Sequence, residues 1–444
     1  MAGQSLGSRV VDAFGSAVNQ HVDDAPEGVR TALGFAFNAE RLKVEYFPER
    51  NLMPFERDAA RITLETVTDA LNQPDKAVIT SIFLPSEPFL AMGLKPVSAE
   101  ALAGFVSAAH SESGFITQAE QNGIPETYCS FHKTLMGLAT SGVLQPSRLL
   151  ASCSVPCDAN NLSFKALSYL WDSPHIYVDV PYADSSDAEA VSYVADQLRS
   201  LAHSAEELYG ATLDEDELKR RVEASQHTIA LLNRSLPLRR GRFMRSDMGN
   251  EMQLALAAHL ALGTDDSLKM AEHMVADLTS AESYDGVSLV WGHIPPFFLK
   301  ALNEQISQNR AAQIIATDML YDQVGPTRPR YTPDQPFEAM AERMMDDCFN
   351  GPSTRRADRL IRLARETNAD GVVIFCHWGC KETAGASQLM RRQIEEAGWP
   401  VLVLDGDGCD RDNCMEGQMS TRFSAFLELL RARREEVTEW QKRA

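Results

Sequence analysis

Several things are missing from this 444-residue chain, and each absence argues against a class of function. No run of about eighteen uninterrupted apolar residues occurs, so no membrane-spanning helix is expected. The opening MAGQSLGSRVVDAFGSAVNQ lacks a basic stretch followed by an apolar core and does not read as a secretory leader, so a cytosolic protein is expected. Basic residues are in deficit, 42 Lys and Arg against 62 Asp and Glu for a formal charge of −20, which argues against nucleic-acid and anionic-membrane partners. No GxGxxG follows a strand, and no GxxxxGK[ST] loop or GxSxG elbow is present, so nucleotide binding and hydrolase activity have no support. CxxC knuckles are absent as well, which argues against a zinc ribbon. No internal repeat of solenoid length appears.

What is present begins with eight cysteines. In a reducing compartment they read as thiols or metal ligands rather than disulfides. Cys153 groups with Cys157, Cys376 with Cys380 and Cys409 with Cys414, while Cys129 and Cys348 stand alone. The run GVVIF has no alternation, as expected of a strand covered on both faces of a parallel sheet. It delivers Cys376, His377 and Cys380 to its carboxyl end, where open α/β sheets bind ligands. Two thiols and an imidazole there suggest a metal or redox centre. His377 itself reads as a hydrogen-bonded neighbour rather than a ligand. The acidic loop carrying Asp405, Asp407, Asp410 and Asp412 is out of register with a calcium loop and reads as a turn after a strand.

The length allows two or three domains. Helical periodicity over residues 1–75 indicates an amino-terminal extension, facing a partner. A first α/β lobe is expected over 76–185. It has a strand at Ala77–Leu84, a short helix closed off by Pro96, and a helix carrying Cys129. A strand at Arg148–Ala151 then leads to Cys153 and Cys157, Asp158 caps the next helix, and a strand follows at His175–Val180. Residues 186–284 form a helical connector. A second α/β lobe, 285–444, takes strands at Gly286–Trp291, Ala311–Thr317, Gly371–Phe375 and PVLVL, with 318–340 as a loop or lid. The expected fold class is therefore α/β, with two parallel-sheet lobes of Rossmann or flavodoxin type, a helical extension and a helical connector. Both lobes aim cysteines into the cleft between them. Glu87, just past the first strand, reads either as a complement to a helix dipole or as a functional carboxylate.

The segments GVVIFCHWGCKETAG, AGWPVLVLDGDGCD and GQMSTRFSAFLELL resemble the carboxyl half of the 2-hydroxyacyl-CoA dehydratase subunits. That family is related to the cluster-bearing subunits of benzoyl-CoA reductase and to double-cubane cluster proteins. LPSEPFLAMGLKPV, IPETYCS and SCSVPCDANN resemble its upstream motifs, so the likeness runs in order from about residue 77 to 430. It implies a [4Fe–4S] cluster held by Cys129, Cys157 and Cys380, with one iron left open. It also implies removal of water from an (R)-2-hydroxyacyl-CoA to give the enoyl-CoA. A separate ATP-dependent iron–sulfur activator injects one electron, the cluster passes it to the thioester carbonyl, and the resulting ketyl radical expels the hydroxyl. Loss of a β-proton and return of the electron complete the cycle. By the same resemblance Glu87 assists hydroxyl departure or positioning. Gln418 and Arg422 open the last helix, where they bind an anionic group of CoA or cap the fold. Partners implied are a related subunit in a heterodimer, or a second copy in a homodimer. The extra thiols Cys153, Cys376, Cys409 and Cys414 keep an [8Fe–9S] double-cubane reductase of small unsaturated substrates as an alternative. His293 stands where that branch has a cysteine, which favours the single cluster. A non-catalytic partner or electron-relay subunit is the third reading.

Overall fold

The computed structural model describes residues 6–49, 51–323 and 329–443. Among the described residues, eight strands make two four-stranded sheets, each wholly parallel. The first contains β1 (Ala77–Thr80), β2 (Lys95–Ser98), β3 (Leu150–Cys153) and β4 (His175–Val178), in the order β2-β1-β3-β4. The second contains β5 (Val287–Gly292), β6 (Ala312–Thr317), β7 (Gly371–His377) and β8 (Val401–Gly406), in the order β6-β5-β7-β8. The two orders are one plan used twice. In each, chain progression reverses between the first and third strands, so each lobe has a topological switch point at the carboxyl ends of those strands. The crossovers that parallel pairing requires are helical.

The central strands are buried along their whole length, which is why their sequences are continuously apolar: all seven positions of β7 and all six of β5 are buried. On one face of the second sheet the closing helix Glu416–Arg443 packs Phe423 against Trp291, ring centroids 6.3 Å apart, and Trp291 in turn stacks near Phe375. Burying a ring of this size contributes about 1.5–3 kcal/mol.

Three expectations change. The first strand ends at Thr80, and the stretch expected to terminate a helix at Pro96 is instead β2. Pro96 is tolerated there because β2 is an edge strand, where a missing N–H breaks no ladder. The amino-terminal helices Leu6–Gln20, Pro26–Tyr46 and Pro54–Asn72 also feed the core: Phe55, Ala59 and Val67 of the third are fully buried between the lobes and the connector. The stretch 318–340 is not one irregular loop, since Pro336 opens the helix Pro336–Asp346, a position where its missing N–H costs nothing. Residues 324–328 of the expected lid lie outside the described residues. The connector consists of the helices Ala188–Tyr209, Glu215–Leu238, Met248–Leu260 and Asp265–Ser280. No helix among the described residues is long and apolar enough to cross a membrane.

Candidate active site

Cys129, Cys157 and Cys380 share one local setting: each occupies the N-cap position of a helix. Cys129 precedes the helix Ser130–Thr140, Cys157 precedes Asp158–Trp171 and Cys380 precedes Lys381–Glu396. Cys157 and Cys380 follow the third strand of their lobes, at the two switch points. Asp158, expected as a cap, is instead the first helical residue; the Cys157 sulfur accepts the Asn160 N–H at 3.3 Å and does the capping. Gly379 fixes the approach of the lobes. It adopts φ +80°, and a Cβ there would lie 2.6 Å from the backbone nitrogen of Cys129, so only glycine lets the loop after β7 touch the first lobe.

Each thiol has a histidine beside it. Cys129 Sγ lies 3.3 Å from His377 Nε2, Cys380 Sγ 3.7 Å from His293 Nε2, and Cys157 Sγ 3.9 Å from His132 Nε2. Burial pushes His132 down to about 3, helped by His377, and holds His293 well below its ordinary range, helped by Arg356. Both rings are therefore neutral, and Nδ1 of each is buried without a hydrogen-bond partner. His293 sits in the left-handed region at φ 73°, held there by its N–H donating to Asp318 Oδ1 at 2.7 Å. Asp318 in turn binds the fully buried Arg356, which reaches Glu382. Strain of this kind persists where the surroundings over-determine it.

The thiols and histidines open on a cavity of about 580 Å³ lined from both lobes and the connector. Much of its wall is apolar, including Ile82, Phe83, Phe131, Met252, Leu256 and Phe349. Among its polar groups, Glu100 is the carboxyl drawn furthest in. It accepts from Ser98 Oγ at 2.7 Å and Asn160 Nδ2 at 3.0 Å and lies 4.0 Å from His132 Nε2. Burial raises its carboxyl against the pull of the Ser98 hydrogen bond. Burial also holds all three thiols above their ordinary range, and a coordinated metal would reverse that by taking them as thiolates. Among the described residues no three His, Cys, Asp or Glu could hold a single ion. A multi-iron cluster asks for a wider spacing, one thiolate per iron. Three thiols from two lobes opening on one cavity, with unpartnered imidazole nitrogens nearby, are a donor set of that kind.

The other expected site residues lie elsewhere. Glu87 is fully buried away from the cavity wall, gripped by Arg343 at 2.6 and 2.9 Å and by Ser225 Oγ at 2.6 Å. Burial pushes its carboxyl up, but Arg343 and Ser225 outweigh this and leave it below the usual range. Gln418 is exposed, and Arg422 binds the Val403 carbonyl and Asp405. Neither lines the cavity, and neither do Cys153, Cys348, Cys376, Cys409 and Cys414. Cys153 pairs with Ser81, and Cys414 with the backbone of Asp407.

Sequence reasoning missed His132 and Glu100, which share no motif and meet only through tertiary packing. It also took the acidic loop for a plain turn. Asp407 Oδ1 accepts from Ser130 Oγ at 2.5 Å, Ser107 Oγ donates to the Cys409 carbonyl at 2.7 Å, and Arg411 binds Glu112, so the loop fastens the second lobe to the first.

Fold and site together define a two-lobed α/β protein with a thiol-lined cleft. A family model described as 2-hydroxyglutaryl-CoA dehydratase, D-component, matches residues 81–430, and the chain belongs to that family of dehydratase components, which are hydro-lyases. It is 22% identical over 376 residues to the (R)-phenyllactyl-CoA dehydratase alpha subunit of Clostridium sporogenes, covering 79% of this chain and 88% of the relative. It is also 22% identical over 386 residues to lactoyl-CoA dehydratase subunit alpha of Anaerotignum propionicum, covering 78% and 89%.

Proposed function

We propose that this chain is the cluster-bearing subunit of a 2-hydroxyacyl-CoA dehydratase that removes water from an (R)-2-hydroxyacyl-CoA with an apolar acyl group. The observation that carries the reading is the convergence of three thiols, each at the N-cap position of a helix, from two lobes on one largely apolar cavity. Cys129, Cys157 and Cys380 would hold a [4Fe–4S] cluster, which when bound supplies a Lewis-acidic iron and a one-electron reductant for the thioester carbonyl. The chain supplies the rest. The apolar wall excludes water and takes up the acyl group, each buried methylene contributing about 0.8 kcal/mol. Dehydration moves one proton to the departing hydroxyl and one from the β-carbon. Glu100, raised by burial, is suited to hold a proton that an ordinary carboxylate would release. Glu87 is assigned a positioning role, tying the short helix Glu87–Ala91 to Ser225 of the connector and Arg343 of the second lobe.

The relatives are alpha subunits, which supports a partner subunit; the separate ATP-dependent activator rests on the family resemblance alone. The single cluster is favoured over a double cubane because five of the eight thiols do not face the cavity. Anaerobic iron and sulfide determination tests the reading. About four irons per chain are expected, lost when Cys129, Cys157 or Cys380 is changed to Ser and kept when Cys153 or Cys376 is. A colourless protein after anaerobic reconstitution would sink it.

A further inference from the structure

Of the three imidazoles beside the thiols, one has its proton assigned by the structure. His377 Nδ1 accepts the backbone N–H of Gly408 at 2.9 Å. That nitrogen therefore carries no proton, and the single proton of the neutral ring sits on Nε2, which faces Cys129 Sγ at 3.3 Å. The ring cannot turn away. Phe131 meets it edge-on at 5.5 Å and His293 stacks on it at 6.0 Å. Asp407, whose Oδ1 lies 3.7 Å from Nδ1, already accepts from Ser130 Oγ and the N–H groups of Cys409 and Asp410 with that oxygen. His132 and His293 differ: their sulfur contacts are longer and their Nδ1 atoms are unpartnered, so nothing selects a tautomer.

We propose that His377 is a positioning residue that donates a fixed Nε2–H hydrogen bond to the Cys129 sulfur and thereby stabilises the reduced state of the centre held there. The inference rests on the reading that Cys129, Cys157 and Cys380 hold an iron–sulfur cluster. Electrons added to such a cluster spread onto its sulfurs, so a donor aimed at one thiolate favours the reduced form and raises the potential. The bond crosses the cleft, running from Gly408 of the second lobe through His377 to Cys129 of the first.

The experiment compares cluster midpoint potentials of the reconstituted full chain with His377→Leu, which removes the donor, and His377→Gln, which keeps an N–H. Iron content should be unchanged in both. His377→Leu should be harder to reduce, by a tenfold change in the reduced-to-oxidised ratio at fixed potential, about 59 mV for one electron. His377→Gln should recover part of that shift. If neither variant folds, reduced unsubstituted protein labelled with ¹⁵N-histidine decides, through a nitrogen coupling from one imidazole and an exchangeable proton that vanishes in D₂O. Wild-type potentials in both variants, or no such coupling, overturn the inference while leaving the cluster reading intact. Absence of iron from the reconstituted wild type overturns both.

Discussion

Replacing Arg343 by Leu would leave the Glu87 carboxylate alone in the interior. In the intact protein Glu87 is fully buried, and its two oxygens take Nη1 and Nη2 of Arg343 at 2.6 and 2.9 Å. Without the guanidinium, a carboxylate that stays ionised costs about 3–5 kcal/mol. One that takes up a proton costs about 1.4 kcal/mol for each pH unit above its ordinary value near 4.5, or about 3 kcal/mol at neutrality. The two estimates meet at about 3 kcal/mol. The sign of the pH dependence separates this from simple loss of packing. The intact pair depresses the folded carboxyl, so its stabilisation is complete above the unfolded value and is lost as pH falls through the folded one. In Arg343→Leu the folded carboxyl is raised instead, so stability is greatest in acid and falls as pH rises. Denaturant midpoints at about pH 5.5 and about pH 8 should therefore show the variant nearer to wild type at the lower pH. The double variant Glu87→Gln with Arg343→Leu should regain stability over the single one and lose the inverted pH dependence. Equal destabilisation at both pH values, or a double variant no more stable than the single, would refute the reasoning.

Other outcomes follow from single contacts. Gly379→Ala places a methyl 2.6 Å from the Cys129 nitrogen at a positive φ, so it should lower both iron content and thermal stability, and a variant that matches wild type in both would show the lobes free to part. Glu100→Gln should reduce turnover of the assembled dehydratase by about 10²-fold or more with iron content unchanged, and full turnover would remove Glu100 from the chemistry. Glu56, pushed up to about 8 by burial with Glu251 adding, keeps its proton where the unfolded chain has released it. Stability should thus decline as pH rises between about 4.5 and about 8, by at most about 1.4 kcal/mol per unit, and Glu56→Gln should flatten that decline in urea titrations.

Strands β5, β6 and β7 were readable because burial on both faces leaves a largely apolar signature, and β5 and β7 also lead into the candidate site. β2 was not, since KPVS carries a proline that means helix end in one context and sheet edge in another. The helix starts at Cys129, Cys157 and Cys380 were blurred for a different reason. Sulfur is not a favoured capping group, so Asp158 looked the better cap until tertiary packing selected its neighbour. The partner of Glu87 lies 256 residues away, and no local pattern reports such a contact. His132 and Glu100 were silent because a histidine inside an apolar helix and a glutamate in a first turn are ordinary in sequence. Only the fold brings them within 4.0 Å of each other.

The three cysteines at helix N-cap positions carry one more consequence. Each helix amino end presents the equivalent of about half a positive charge, and here three such ends open on one cavity of low polarity. Their fields add where solvent screening is weak. In a chain whose overall charge is −20, these helix ends partly offset the carboxyls Glu100, Asp158 and Glu382 that also line the cavity. The backbone N–H groups at those ends favour negative charge that develops beside them, whether lodged on sulfur or on a substrate oxygen.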